Sequence, residues 1–64
     1  MFLTRLYTHD GHRFDCVPQS SIDDAYKMGD GWIKGRNHIV RYEIWRLKDD
    51  GTPYNFIDAN EREG

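Results

Sequence analysis

The side chains in this chain that most invite chemistry are one cysteine and three histidines, Cys16, His9, His12 and His38. Zn²⁺ takes nitrogen and sulfur ligands in a tetrahedron, and small domains often gain stability from such a site. The spacing argues otherwise. His9 and His12 flank a tight turn, and Cys16 lies further along a strand, roughly 13 Å from His12 at a rise of about 3.3 Å per residue. No second cysteine or paired ligand knuckle completes a set, so two turn histidines in solvent is the simpler reading. No metal and no other cofactor is expected.

Nucleophilic catalysis by Cys16 needs a thiolate activated by a base. Its strand position instead places it on an inward face opposite Thr4, where a lone cysteine acts as a small buried hydrophobe. Ser20 and Ser21 have an adequate role as helix caps, and no Gly-x-Ser-x-Gly elbow surrounds them. The neighbouring pairs Asp23-Asp24 and Asp49-Asp50 point apart on a helix or turn, so they do not share a proton as a catalytic dyad would. Gly29, Gly31 and Gly35 match neither phosphate-cradling pattern. The expectation is a protein with no catalytic residue.

A different chemistry gathers in residues 31–48, where both tryptophans lie among cations. Lys34, Arg36, Arg41, Arg46 and Lys48 stand there against Glu43 alone, a local charge of +4 in a chain whose formal net charge is -2. Residues 1–30 sum to -2, and residues 49–64 hold Arg62 against five acids, a balance of -4. Such opposed blocks suit orientation of a docking partner better than general affinity for nucleic acid or anionic lipid. The candidate partner-binding residues are Trp32, Lys34, Arg36, Arg41, Trp45 and Arg46.

Two similar turn signals bracket the elements that must position them. Thr8-His9-Asp10-Gly11-His12 and Lys48-Asp49-Asp50-Gly51-Thr52 each place Asp-Gly between strand-like runs. A three-residue loop with glycine in the left-handed position sets Leu6 opposite Phe14 and Arg5 opposite Asp15 in the first hairpin. In the second it sets Ile44 opposite Phe56, whereas a two-residue loop would face Glu43 with Asp58. Three-residue loops are therefore expected in both. Phe2, Leu6, Phe14 and Cys16 then point inward, with Val40, Tyr42, Ile44, Tyr54 and Phe56 from the second hairpin.

Between the hairpins, Ser20 or Ser21 can cap a short helix from Ile22, with Asp23 and Asp24 favoured by its dipole and Gly29 just past its end. Gly31 to Gly35 reads as a short strand and His38 to Leu47 as a long one. The expected fold is α+β, a mainly antiparallel sheet of two hairpins and about five strands with one short helix, in the order β-β-α-β-β-β. The chain is read as a single domain, 1–64, with a flexible tail from about residue 59. One short helix cannot cover both faces of such a sheet. Some of Trp32, Ile39, Trp45 and Leu47 are therefore expected in solvent or against another molecule, although a strongly twisted sheet can curl both faces into one core.

A chain of 64 residues buries only roughly 60% of its unfolded surface, so outside help to stability is common at this size. The single cysteine excludes an internal disulfide, and no cationic segment precedes a long apolar run. A cytoplasmic protein without a membrane anchor is expected. The reading that follows is a stand-alone protein-binding module, a small regulator or inhibitor that covers a surface on a larger partner. In size and style it is similar to the short regulators encoded by mobile genetic elements. The alternative is a β-sheet that binds single-stranded nucleic acid through the Trp, Arg and Lys of residues 32–48, and self-association into a homodimer is adjacent to both.

Overall fold

A computed structural model describes residues 1–62 of the chain. Its elements are β1 (Phe2–Thr8), β2 (Arg13–Asp15), α1 (Ile22–Gly35), β3 (Ile39–Leu47) and β4 (Pro53–Glu61). The four strands form one antiparallel sheet in the order β2-β1-β3-β4, and α1 packs across β1 and β3 on one side. This is the expected small α+β fold with two hairpins. It has one strand fewer than expected.

Both turns are the three-residue kind. Gly11 N–H donates to the Thr8 carbonyl at 3.2 Å and Gly51 N–H to the Lys48 carbonyl at 2.9 Å, with Gly11 at φ 91° and Gly51 at φ 87°. That left-handed backbone is strained for a residue with a Cβ, which is why glycine closes each loop. In the first hairpin Leu6 faces Phe14 and Arg5 faces Asp15.

The second hairpin keeps its loop but loses its simple register. Trp45, not Ile44, faces Phe56, because Tyr54 is an extra residue left unpaired in β4, and a second one, Ile57, moves Ile44 on to Asp58. Each such bulge shifts pairing by one and re-aims the side chains beyond it. Tyr54 and Phe56, expected inward, are therefore 51% and 47% exposed. A third bulge leaves Val40 unpaired opposite the step from Tyr7 to Thr8. It brings Ile39, expected on the far face, into the core at 2% exposure.

The expected strand at Gly31–Gly35 is the last part of α1. Ser21 caps the helix, its Oγ accepting from the Asp24 N–H at 3.1 Å. Gly29 does not end it. A Cβ there would lie 2.5 Å from the Tyr42 ring, so this glycine is the notch that lets α1 settle on β3. Once seated, Trp32 and Ile33 pack against the core cluster and the helix continues through its glycines. Packing outweighs the poor helix propensity of glycine.

The core beneath α1 is Leu6, Ala25, Ile39, Tyr42 and Ile44. Its polar groups are paired. Thr4 Oγ1 donates to the Ala25 carbonyl at 2.7 Å, Tyr42 Oη donates to Asp30 Oδ1 at 2.6 Å, and Asn60 Nδ2 donates to Tyr42 Oη at 2.9 Å. Burial, then the Asp30 bond, pushes the Tyr42 hydroxyl up to about 12.

The tail expected from residue 59 is strand as far as Glu61. Arg62 follows it across the end of α1, its guanidinium donating to the carbonyls of Ile33, Arg36 and Ile39. Residues 63 and 64 of that expectation lie outside the described residues. Among the described residues no helix is long and apolar enough to cross a membrane.

Candidate functional site on the open face of the sheet

Side chains alternate across a strand, so the residues of β1 and β3 that do not meet α1 share the opposite face. Leu3, Arg5 and Tyr7 lie there beside Arg41, Glu43, Trp45 and Leu47, joined by Phe56 through the β4 bulge. No element covers this face among the described residues.

Glu43 is its centre. Tyr7 Oη and Trp45 Nε1 donate to its Oε1 at 2.9 and 3.0 Å, and Arg41 Nη2 donates to its Oε2 at 3.0 Å. Burial alone would raise the Glu43 carboxyl, but these three donors outweigh it and hold the group below its ordinary range. The Tyr7 hydroxyl is pushed up, by burial first and then by Glu43.

Around this centre Arg5 and Arg41 are already paired, while Arg13, opposite Tyr7 on the same face, is exposed. Arg41 Nη1 donates to Glu61 at 2.7 Å, and Arg5 Nε donates to Asp15 Oδ1 at 2.8 Å across the first hairpin. The same guanidinium groups lie over rings, Arg5 above Trp45 at 5.8 Å and Arg41 above Tyr7 at 6.0 Å. Trp45 and Phe56 meet edge to face, their centroids 5.5 Å apart and their planes at 73°. The result is a plate of rings and flattened arginines with its charges balanced inside itself.

The six candidate residues named from sequence do not form one site. Arg41 and Trp45 share the open face. Arg46 alternates to the other side, over the Phe2 ring at 5.8 Å. Trp32 and Lys34 lie in α1 and Arg36 caps its end, with the Arg36 guanidinium 5.2 Å from the Trp32 ring. They separate because residues 31–35 are helix, which removes the strand that was to align them with β3. Of the four apolar residues weighed for exposure, Ile39 and Leu47 are buried, and Trp32 and Trp45 are half-buried.

Sequence reasoning passed over Arg5, Tyr7 and Phe56. The alternation of Arg5 and Tyr7 with Leu6 was available as a signal of a shared face, but their meeting with Glu43 and Trp45 depends on β1 pairing with β3, which no turn dictates. The histidines and cysteine stay apart in role. His9 and His12 are exposed at the first turn, Cys16 is half-buried, and among the described residues no three His, Cys, Asp or Glu side chains group as a metal site.

Compared with protein-family models, curated proteins and solved structures, the chain matches none.

Proposed function

We propose that the chain is a protein-binding module that presents the open face of its sheet to a larger protein, acting as a small regulator by covering part of that partner. The observation that carries this reading is the Trp45–Phe56 pair. A phenylalanine 47% exposed, held edge to face against a half-buried tryptophan, is a preformed apolar anchor of the kind that dominates protein interfaces. The internally paired arginines around it resemble the rim of such an interface, where charge orients more than it binds.

The nucleic-acid reading is disfavoured by the same pairing. Arg5 and Arg41 each engage a carboxylate, so beyond the exposed Arg13 the plate has little spare positive charge for phosphates, and Lys34 and Arg36 lie at the end of α1. A short single-stranded oligonucleotide is expected not to bind at low salt.

The test uses two variants. Phe56→Ser removes the more exposed ring, and Trp45→Ala removes the anchor. A protein captured from a lysate of the source organism, once purified, should bind the wild type and lose at least about tenfold in affinity to Phe56→Ser, equivalent to about 1.4 kcal/mol. Lys34→Ala, at the end of α1, should bind as wild type does. Equal affinity for wild type and Phe56→Ser overturns the reading. Light scattering separates the homodimer from the monomer, because a self-associating chain would double its mass and lose that mass in Phe56→Ser.

A further inference from the structure

Away from the open face, a concavity of about 300 Å³ lies between the β1–β2 hairpin and the end of α1. It exists because β2 is three residues long and α1 packs on β1 and β3, leaving the inner side of β2 without a cover. The buried side chains of Leu6 and Ile39 form its floor, and the rings of Phe14 and Trp32 line it above them. Phe14 is 55% exposed, so this ring meets solvent at a position where burial would be favourable. An enclosed apolar cavity of about 150 Å³ takes up benzene; this concavity is larger, and one side of it is open to solvent.

Charge narrows the occupant. Asp15 stands at the edge, but Arg5 already holds its carboxylate at 2.8 Å. A cation would give up hydration here without gaining a free carboxylate, and an anion would find only His38, which is exposed and screened by solvent. The polar groups that remain are the Cys16 thiol and the His38 imidazole. Burial, then the Asp15 charge, pushes the Cys16 thiol up, which keeps it a neutral S–H.

We propose that this concavity is a binding site for a small, uncharged, flat molecule, about two fused rings in size with one hydrogen-bonding group. The rings would lie against Phe14 and Trp32 over the Leu6–Ile39 floor, with the polar group toward Cys16 or His38. This site is separate from the open face and does not rest on the protein-binding reading.

Indole is the probe. Added to the isotope-labelled full chain, it should shift the amide signals of Cys16, Trp32 and His38 and leave those of Trp45 and Phe56 in place. At a concentration about ten times its own Kd it should slow alkylation of Cys16 by iodoacetamide about tenfold. Indole-3-acetate, with the same rings and a carboxylate, should bind more weakly. Cys16→Phe should fill the space and abolish the shifts; if that variant does not fold, the wild-type shifts and alkylation rates decide the matter. Unchanged alkylation, equal binding of indole-3-acetate, or shifts centred on Trp45 and Phe56 would each overturn the proposal. The first two results leave the open-face reading untouched.

Discussion

The two faces of this sheet solve the same problem by different means. Under α1, apolar side chains are enclosed by a second layer, and Leu6, Ala25, Ile39, Tyr42 and Ile44 are all nearly inaccessible. On the open face no layer exists, yet Leu3 and Leu47 are only 5% and 7% exposed. Their cover is made of the long side chains around them, as arginine stems and aromatic rings lie along the sheet and keep only their polar tips in water. A face can thus be dried without a lid, but the rings that dry it then become the surface.

This contrast can be broken from the covered side first. Ile44→Ala empties a fully enclosed site and should cost about 2–5 kcal/mol, read as a lower urea midpoint with little change in slope. Gly29→Ala comes next, because its new methyl meets the Tyr42 ring, which is pinned by Asp30 and Asn60. Overpacking of this kind costs about 1–3 kcal/mol and should appear as a fall in Tm. A wild-type Tm in Gly29→Ala would mean that α1 sits further from β3 than described.

The open face should respond less, and with a pH signature. Glu43→Gln weakens the bonds from Tyr7, Trp45 and Arg41 and should cost about 1–2 kcal/mol at neutral pH. Because the folded carboxyl titrates below its ordinary value of 4.5, its contribution is full above that value. It is lost as the pH falls through the lower, folded value. The stability gap between wild type and Glu43→Gln should therefore narrow as the solution is acidified below pH 4.5, and a gap that stays constant would remove Glu43 as the ionised centre of the plate. The smallest effect has the opposite sign. A Cβ at Gly31 meets nothing within 4 Å, so Gly31→Ala should stabilise the helix by up to about 1 kcal/mol.

What could be read from sequence was local. The Asp-Gly signals gave both loops because the left-handed glycine and its hydrogen bond are decided within five residues. Ser21 and the acids after it marked the helix start for the same reason. The helix end was hidden, because Gly29 looks like a stop until the Tyr42 ring is known to lie against it. The bulges were hidden too: an unbulged register already set Ile44 against Phe56, so nothing near the turn called for extra residues at Tyr54 and Ile57, and Val40 lies in the β1–β3 pairing, which no turn signals. The candidate site inherited both omissions. Trp32 was assigned to a strand and Phe56 to the interior, while the Glu43 cluster draws on strands separated by the whole helix.

Those bulges also change how β4 can evolve. Residues two apart in a strand ordinarily share a side, yet Asp58 serves Tyr26 beneath the helix, at 2.8 Å, while Phe56 meets Trp45 on the other side. The link between them, Ile57, has no partner in β3 and packs against the core cluster. Loss of Ile57 would leave Phe56 opposite Trp45 and Asp58 opposite Ile44, so shortening this strand by one residue costs an apolar contact with the core but does not make its two sides exchange occupants.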